Sequence, residues 1–248
     1  MNIQEILHST EHRPWQIPTG NWKYYQEWNR AIFLHWQVEL DELEKLIPKE
    51  LEIDLYAGKP WVSIVAFTME KTRPKNLPPF LPISNFHEVN IRTYVRFNNK
   101  AGVYFLSIEG GNYLSCKLAK GISKLPYRYS KIKRAENQYQ SSNPGFGDKL
   151  EFEYAIGNKL KEKTELDKWL TERYALFQDS NRFINEFEIH HLEWPINEID
   201  LKKLNCDYPR FQSLIKNNPD KIHFSEGVKV IAWGRNKKEM SEYNSKIG

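Results

Sequence analysis

Apolar and polar residues alternate over many short segments of the chain, the period of two that places one face of a strand against a core. This spacing predicts strands over residues 29–38, 51–56, 61–70, 89–97, 103–109, 127–134, 150–156, 182–191 and 227–233. Ala57-Gly58-Lys59-Pro60 reads as a turn that pairs the second and third as a hairpin, and residues 98–102 do the same for the fourth and fifth. Helical spacing is rarer. Residues 1–11 form a short amphipathic helix, and Asp41 caps a helix over 42–47. Leu114, Leu118 and Ile122 recur at i, i+4, i+8 within 112–122. A capping box, Thr164-x-x-Asp167, opens the clearest helix, with Leu166, Trp169, Leu170, Tyr174 and Phe177 as its buried stripe. That helix, 166–177, is expected to be the longest or second longest. Four prolines make 73–82 an irregular loop. Hairpin spacing dominates over βαβ spacing, so the expected class is a β-rich α+β fold, antiparallel, with a few peripheral helices. The expected division is an N-terminal arm over 1–21, one domain over 22–234 and a polar tail over 235–248.

Composition narrows this only a little. The 248 residues can bury a sizeable core without staples. No apolar run approaches the roughly 18 residues of a membrane span, so no membrane association is expected. Residues 1–20 lack the apolar stretch of a secretory signal. Two cysteines, Cys116 and Cys206, give neither a disulfide framework nor a zinc motif and suit a reducing, cytoplasmic setting. The surplus of 36 basic over 32 acidic residues is too small to require a polyanionic partner. Aromatic residues reach 14%, which suggests broad sheet faces, an aromatic-lined cavity, or both.

The most suggestive chemistry lies in Phe86-His87-Glu88-Val89-Asn90-Ile91-Arg92. On a strand, Glu88, Asn90 and Arg92 share one face. That row either orients a polar ligand in a cavity, with Arg92 on a carboxylate or phosphate, or forms a solvated face with a cross-strand ion pair. His190 and His191 are adjacent, so on a regular strand they point to opposite sides and cannot both ligate one ion. No spacing supports a metal site, and no cofactor loop or nucleophile elbow is present. Arg128, Lys131, Lys133 and Arg134 among Tyr127 and Tyr129 mix basic and aromatic residues, but no nucleic-acid motif frames them. A solvated strand edge is the simpler reading.

Several segments together are specific: Leu34-His35-Trp36, LIPKELEID (46–54), GKPWVSIVAF (58–67), FHEVNIRTYV (86–95), GVYFLS (102–107), Glu172-Arg173-Tyr174, EIHHLEWP (188–195) and HFSEGVKVIAW (223–233). With these the chain resembles the YqjF-like family, a bacterial domain of unknown function (number 2071), itself similar to acetoacetate decarboxylase. The resemblance implies an antiparallel β-barrel or cone with a central cavity and helices outside, and it turns the Glu88 face inward. The decarboxylase forms a Schiff base through a lysine of depressed pKa beside a second cation. Its counterpart here is Lys124-Leu125-Pro126-Tyr127-Arg128. Tyrosine stands where the nucleophilic lysine belongs and arginine replaces its neighbour, and neither forms an imine.

The expected function is therefore binding of a small anionic or carbonyl-bearing metabolite, with Glu88, Asn90, Arg92, Tyr127 and Arg128 as polar contacts and no metal or cofactor. The alternatives are an enzyme of non-imine mechanism, with Glu88 as base and Tyr127 as acid for enolisation, hydrolysis or decarboxylation, and an interaction or nucleic-acid-binding module. Nucleic acid is not the expected partner, and oligomeric state is not legible in the sequence.

Overall fold

Long runs of β-branched and aromatic residues dominate the computed structural model, which describes residues 2–216 and 218–240. Among the described residues, fourteen strands join one sheet. They are β1 (Tyr24–Gln37), β2 (Glu52–Ile53), β3 (Trp61–Pro74), β4 (Phe86–Phe97), β5 (Lys100–Gly110), β6 (Tyr127–Tyr129), β7 (Lys131–Arg134), β8 (Gln138–Asn143), β9 (Asp148–Lys159), β10 (Ala175–Ser180), β11 (Phe183–His190), β12 (Ile196–Asp207), β13 (Lys221–Ala232) and β14 (Asn236–Glu239). The α-helices are short: α1 (Ile3–His8), α2 (Leu40–Glu44), α3 (Leu81–Ser84), α4 (Tyr113–Ser123) and α5 (Glu165–Thr171).

Hydrogen-bonded neighbours run β14-β11-β10-β5-β4-β3-β1-β13-β12-β9-β8-β7. A further pairing, Ile189 with Ala232 and His190 with Ile231, joins β11 to β13 and closes seven strands into a ring. Most pairings are antiparallel; β5 pairs in parallel with β10 and β6. The outward residues Ile32, Leu34, Ile64, Val89 and Ile91 pack with Tyr139, Leu150 and Phe152 of β8 and β9, which cover the ring from outside. Phe33, Val65, Phe67, Met69 and Val230 form a separate inner cluster. β3 and β4 are therefore buried on both faces, a consequence of a second sheet layer laid over a closed ring.

Local chemistry explains the β4–β5 hairpin. Phe97 pairs with Lys100 across a two-residue turn, and Asn98 and Asn99 take φ of 48° and 63°. Two left-handed residues are what this turn needs, and asparagine tolerates them.

Several expectations change. Residues 51–56 and 61–70 do not form a hairpin with each other: β2 pairs with β4, while β3 lies between β1 and β4. Asp41 does not cap α2, which starts at Leu40 after Glu39 without a side-chain cap bond. The 166–177 helix is only α5; its capping box forms, but Tyr174 and Phe177 follow it in extended chain, because β10 pairs with β11 and β5. β8 and β12 occupy stretches assigned no element, and the 127–134 strand breaks at Ser130 into β6 and β7. The polar tail is not free at its start, since β14 pairs with β11; residues 241–248 lie outside the described residues. No helix among the described residues is long and apolar enough to cross a membrane.

Candidate functional site

The ring encloses a cavity of about 210 Å³. Alternation along β4 aims Glu88, Asn90 and Arg92 into it, opposite Phe67, Val65 and Ser63 of β3 in register. Trp28, Phe67, Phe105, Phe187 and Trp194 supply aromatic wall. At one side, α4 ends at Lys124 with φ of 63°, and Leu125-Pro126 carries the chain into β6, parallel to β5. This turn delivers Tyr127 to the cavity.

Glu88 is only 2% exposed. Its Oε2 accepts a hydrogen bond from Tyr127 Oη at 2.7 Å, and its Oε1 accepts one from Asn90 Nδ2 at 3.2 Å. No cation pairs with it among the described residues. Burial raises its carboxyl to about 7, although both hydrogen bonds favour the anion. The phenol of Tyr127 is pushed well up by burial and by Glu88. Asn90 Oδ1 is buried with no partner.

Arg92 is 8% exposed and has no carboxylate partner among the described residues. Its Nη2 donates to the Leu170 carbonyl at 3.4 Å, the Tyr94 hydroxyl is a second, neutral hydrogen-bond partner, its guanidinium sits 5.6 Å from the Phe33 ring centroid, and its Nε is unpartnered. Burial lowers its pKa. Glu88 and Arg92 thus share the cavity without an ion pair between them.

Arg128 does not join them. It neighbours Tyr127 on β6 and so faces the other way, where it contacts Ser107, forms an ion pair with Glu109 at 3.2 Å and stacks 4.3 Å from Phe146. Lys117, Lys120 and Lys124 also lie outside, and no lysine lines the cavity among the described residues.

The lining also includes Thr171 and Arg173, which sequence reasoning gave no role, and His191, which it weighed only as a metal ligand. Arg173 differs from Arg92 in being paired, with Nη1 2.6 Å from Asp54 Oδ2 and Nε bonded to the Trp169 carbonyl at 2.7 Å. Its guanidinium lies 4.3 Å from the Trp169 ring. Burial lowers its pKa, and Arg92 adds to the effect. The only signal for it was its place in Glu172-Arg173-Tyr174, one of the segments of resemblance. His191 is neutral, brought down to about 4 mainly by burial.

Beyond Arg92 the interior closes on a chain of polar groups. Asp167 Oδ1 accepts from His223 Nε2 at 2.8 Å and from Lys221 at 2.8 Å. An ionised carboxylate only accepts, so His223 Nδ1 must in turn accept from His35 Nε2, at 3.0 Å. His35 Nδ1 then accepts from Ser63 Oγ at 2.6 Å. Ser63 Oγ lies 2.7 Å from Tyr94 Oη, which donates to the Leu170 carbonyl at 2.9 Å, the oxygen that Arg92 also contacts. Burial keeps both histidines neutral. No cluster of three or more metal-ligating side chains occurs among the described residues.

The sequence model of the DUF2071 family, described as an uncharacterized conserved protein, matches residues 25–229. The uncharacterized protein YqjF of Bacillus subtilis (strain 168) is 30% identical over 227 residues, 88% of this chain and 93% of that protein. Among solved structures, acetoacetate decarboxylase from Legionella pneumophila aligns with a TM-score of 0.59 at 15% identity, over 97% of this chain and 96% of that one. The enduracididine biosynthesis enzyme MppR complexed with pyruvate aligns at 0.56 and 11% identity, over 93% and 94%. At these identities the likeness is one of fold.

Proposed function

Because the chain belongs to the DUF2071 (YqjF-like) family and carries the acetoacetate decarboxylase-like fold, we propose that its cavity binds a small carboxylate-bearing metabolite that also presents a carbonyl or hydroxyl oxygen. Arg92 carries this reading. Burying a guanidinium without a counter-charge costs several kcal/mol, and a ligand carboxylate within bidentate reach offsets it. Asn90 Oδ1 offers the ligand an acceptor. Glu88, titrating near 7, shares a proton with the ligand's second oxygen, and Tyr127 steadies it from the far side. Pyruvate, which accompanies MppR in its complex, has this combination of groups. An imine has no part in the reading, because no lysine lines the cavity among the described residues.

The test is a crystal structure of the protein soaked with a 2-oxo acid. The expected result is a carboxylate on the Arg92 guanidinium and the oxo oxygen near Glu88. A bound acid that avoids Arg92 overturns the assignment. Borohydride treatment of the same mixture should leave the protein mass unchanged.

A second reading, an enzyme, rests on one observation: a carboxyl poised near 7 beside a phenol suits proton transfer at neutral pH. It predicts Glu88-dependent exchange of the α-protons of a bound 2-oxo acid with deuterium, followed by NMR. Binding without exchange would leave the protein a binder.

A further inference from the structure

Helix α4 is inverted. Its buried residues are small, Ser115 and Cys116, while its apolar row Leu114, Leu118 and Ile122 faces solvent. The small face is fixed in place: Ser115 Oγ donates to the Ile83 carbonyl, and Cys116 Sγ donates to the carbonyls of Gly110 and Arg128. Asn112 caps the helix at Ser115 N and also donates to the Pro82 carbonyl, so α3 is held beside its start. Phe80 and Leu81 at α3, with Tyr113, Leu114, Leu118 and Ile122, are between 47% and 66% exposed. At roughly 200 Å² for each such residue and about half or more of it exposed, the six present on the order of 700 Å². A monomer's largest apolar patch is roughly 300–600 Å², and a stable interface buries about 800 Å² per partner.

We propose that the α3–α4 face is the contact between two copies of this chain. The area matches one side of a standard interface. A two-fold axis lets the i, i+4, i+8 row of α4 pack ridge into groove with its own copy. Lys117, Lys120 and Lys124 border the row without interrupting it, which suits a solvated rim. Ile122 and Ser123 also line the cavity. The second copy therefore sits at the cavity mouth and limits access to it.

The test is sedimentation equilibrium of the full chain at micromolar concentration, at low and high salt. The wild type should be a dimer, tightened or unchanged by salt, because salt screens lysine repulsion and leaves apolar burial intact. Leu118→Lys should weaken it roughly thirtyfold or more, with unchanged circular dichroism. Leu114→Lys gives the same readout should the first variant fail to fold. Leu55→Lys, at an exposed leucine elsewhere, should remain dimeric. A monomeric wild type, or a dimer indifferent to both α4 substitutions, overturns the proposal. So does a monomer that co-sediments with phosphatidylserine vesicles and is released by salt, which would assign the face to lipid.

Discussion

Arg92 and Arg173 line the same cavity, and their replacement by methionine should have opposite effects on the ligand-free protein. Methionine keeps most of the aliphatic stem of arginine, so the change chiefly removes the charge. For Arg92, the desolvation cost of several kcal/mol is met by neutral groups alone: a 3.4 Å hydrogen bond to the Leu170 carbonyl, the Tyr94 hydroxyl and a ring contact at 5.6 Å. At this length and distance such contacts contribute about 1–2 kcal/mol each, less than a bidentate counter-charge would. Arg92→Met should then stabilise the empty protein by about 1–3 kcal/mol, or roughly 2–10 °C in melting temperature for a chain of this size. Arg173→Met instead leaves Asp54 buried with only Arg96 at 3.6 Å, and should destabilise by about 3 kcal/mol or more. Calorimetry of refolded, ligand-stripped protein at pH 7.5 reads both. A clear fall in melting temperature for Arg92→Met, with the fold intact, would mean that the fold itself satisfies Arg92, and the case for an anion would collapse.

Glu88 titrates near 7 when folded, against 4.5 for a free carboxyl, so its burial opposes folding increasingly as pH rises between those values. Glu88→Gln should match wild type below about pH 4.5 and exceed it by on the order of 3 kcal/mol above pH 8, measured by urea unfolding. His191 has the opposite sense: with its folded value near 4 and a free value of 6.5, stability is present above pH 6.5 and falls toward pH 4. His191→Gln should flatten that acid limb by on the order of 3 kcal/mol, and an unchanged limb would show that the ring is not desolvated as described. Gly227 has φ of 133°, and a Cβ there would collide with the Trp28 carbonyl and Asn29 beside the β1 bulge. Gly227→Ala should lower stability by on the order of 3 kcal/mol in the same unfolding assay.

Strand positions were legible where pairing is local. The β4–β5 hairpin follows from its turn residues, and the alternation of Glu88, Asn90 and Arg92 assigns them one face. What that face meets was not legible from the alternation. A solvated strand and one buried on both sides have the same period, and only the layer made by β8 and β9 distinguishes them. Tyr174 and Phe177 continue the helical spacing of Leu166 and Leu170. The chain leaves the helix there because β5 and β11, distant in sequence, supply hydrogen bonds. Arg128 was grouped with Tyr127 because the resemblance sets both against the decarboxylase's paired lysines, although neighbours on a strand face apart. The α4 row was legible as amphipathic, but its direction was not, since spacing alone does not say which side the body of the protein lies on. Period two did not say whether Arg92 would pair with an acid of the fold or await an anionic ligand; among the described residues it meets no acid.

The central claim is that a carboxylate completes the site at Arg92. Calorimetric titration of wild type and Arg92→Met with a series of small 2-oxo acids, and with their neutral methyl esters, tests it most directly. At least one acid should bind the wild type, with its ester and the Arg92→Met combination each weaker by roughly a hundredfold, the loss of a charge-assisted bidentate pair. If no acid in the series binds, or if acids bind Arg92→Met as tightly as wild type, the account is contradicted.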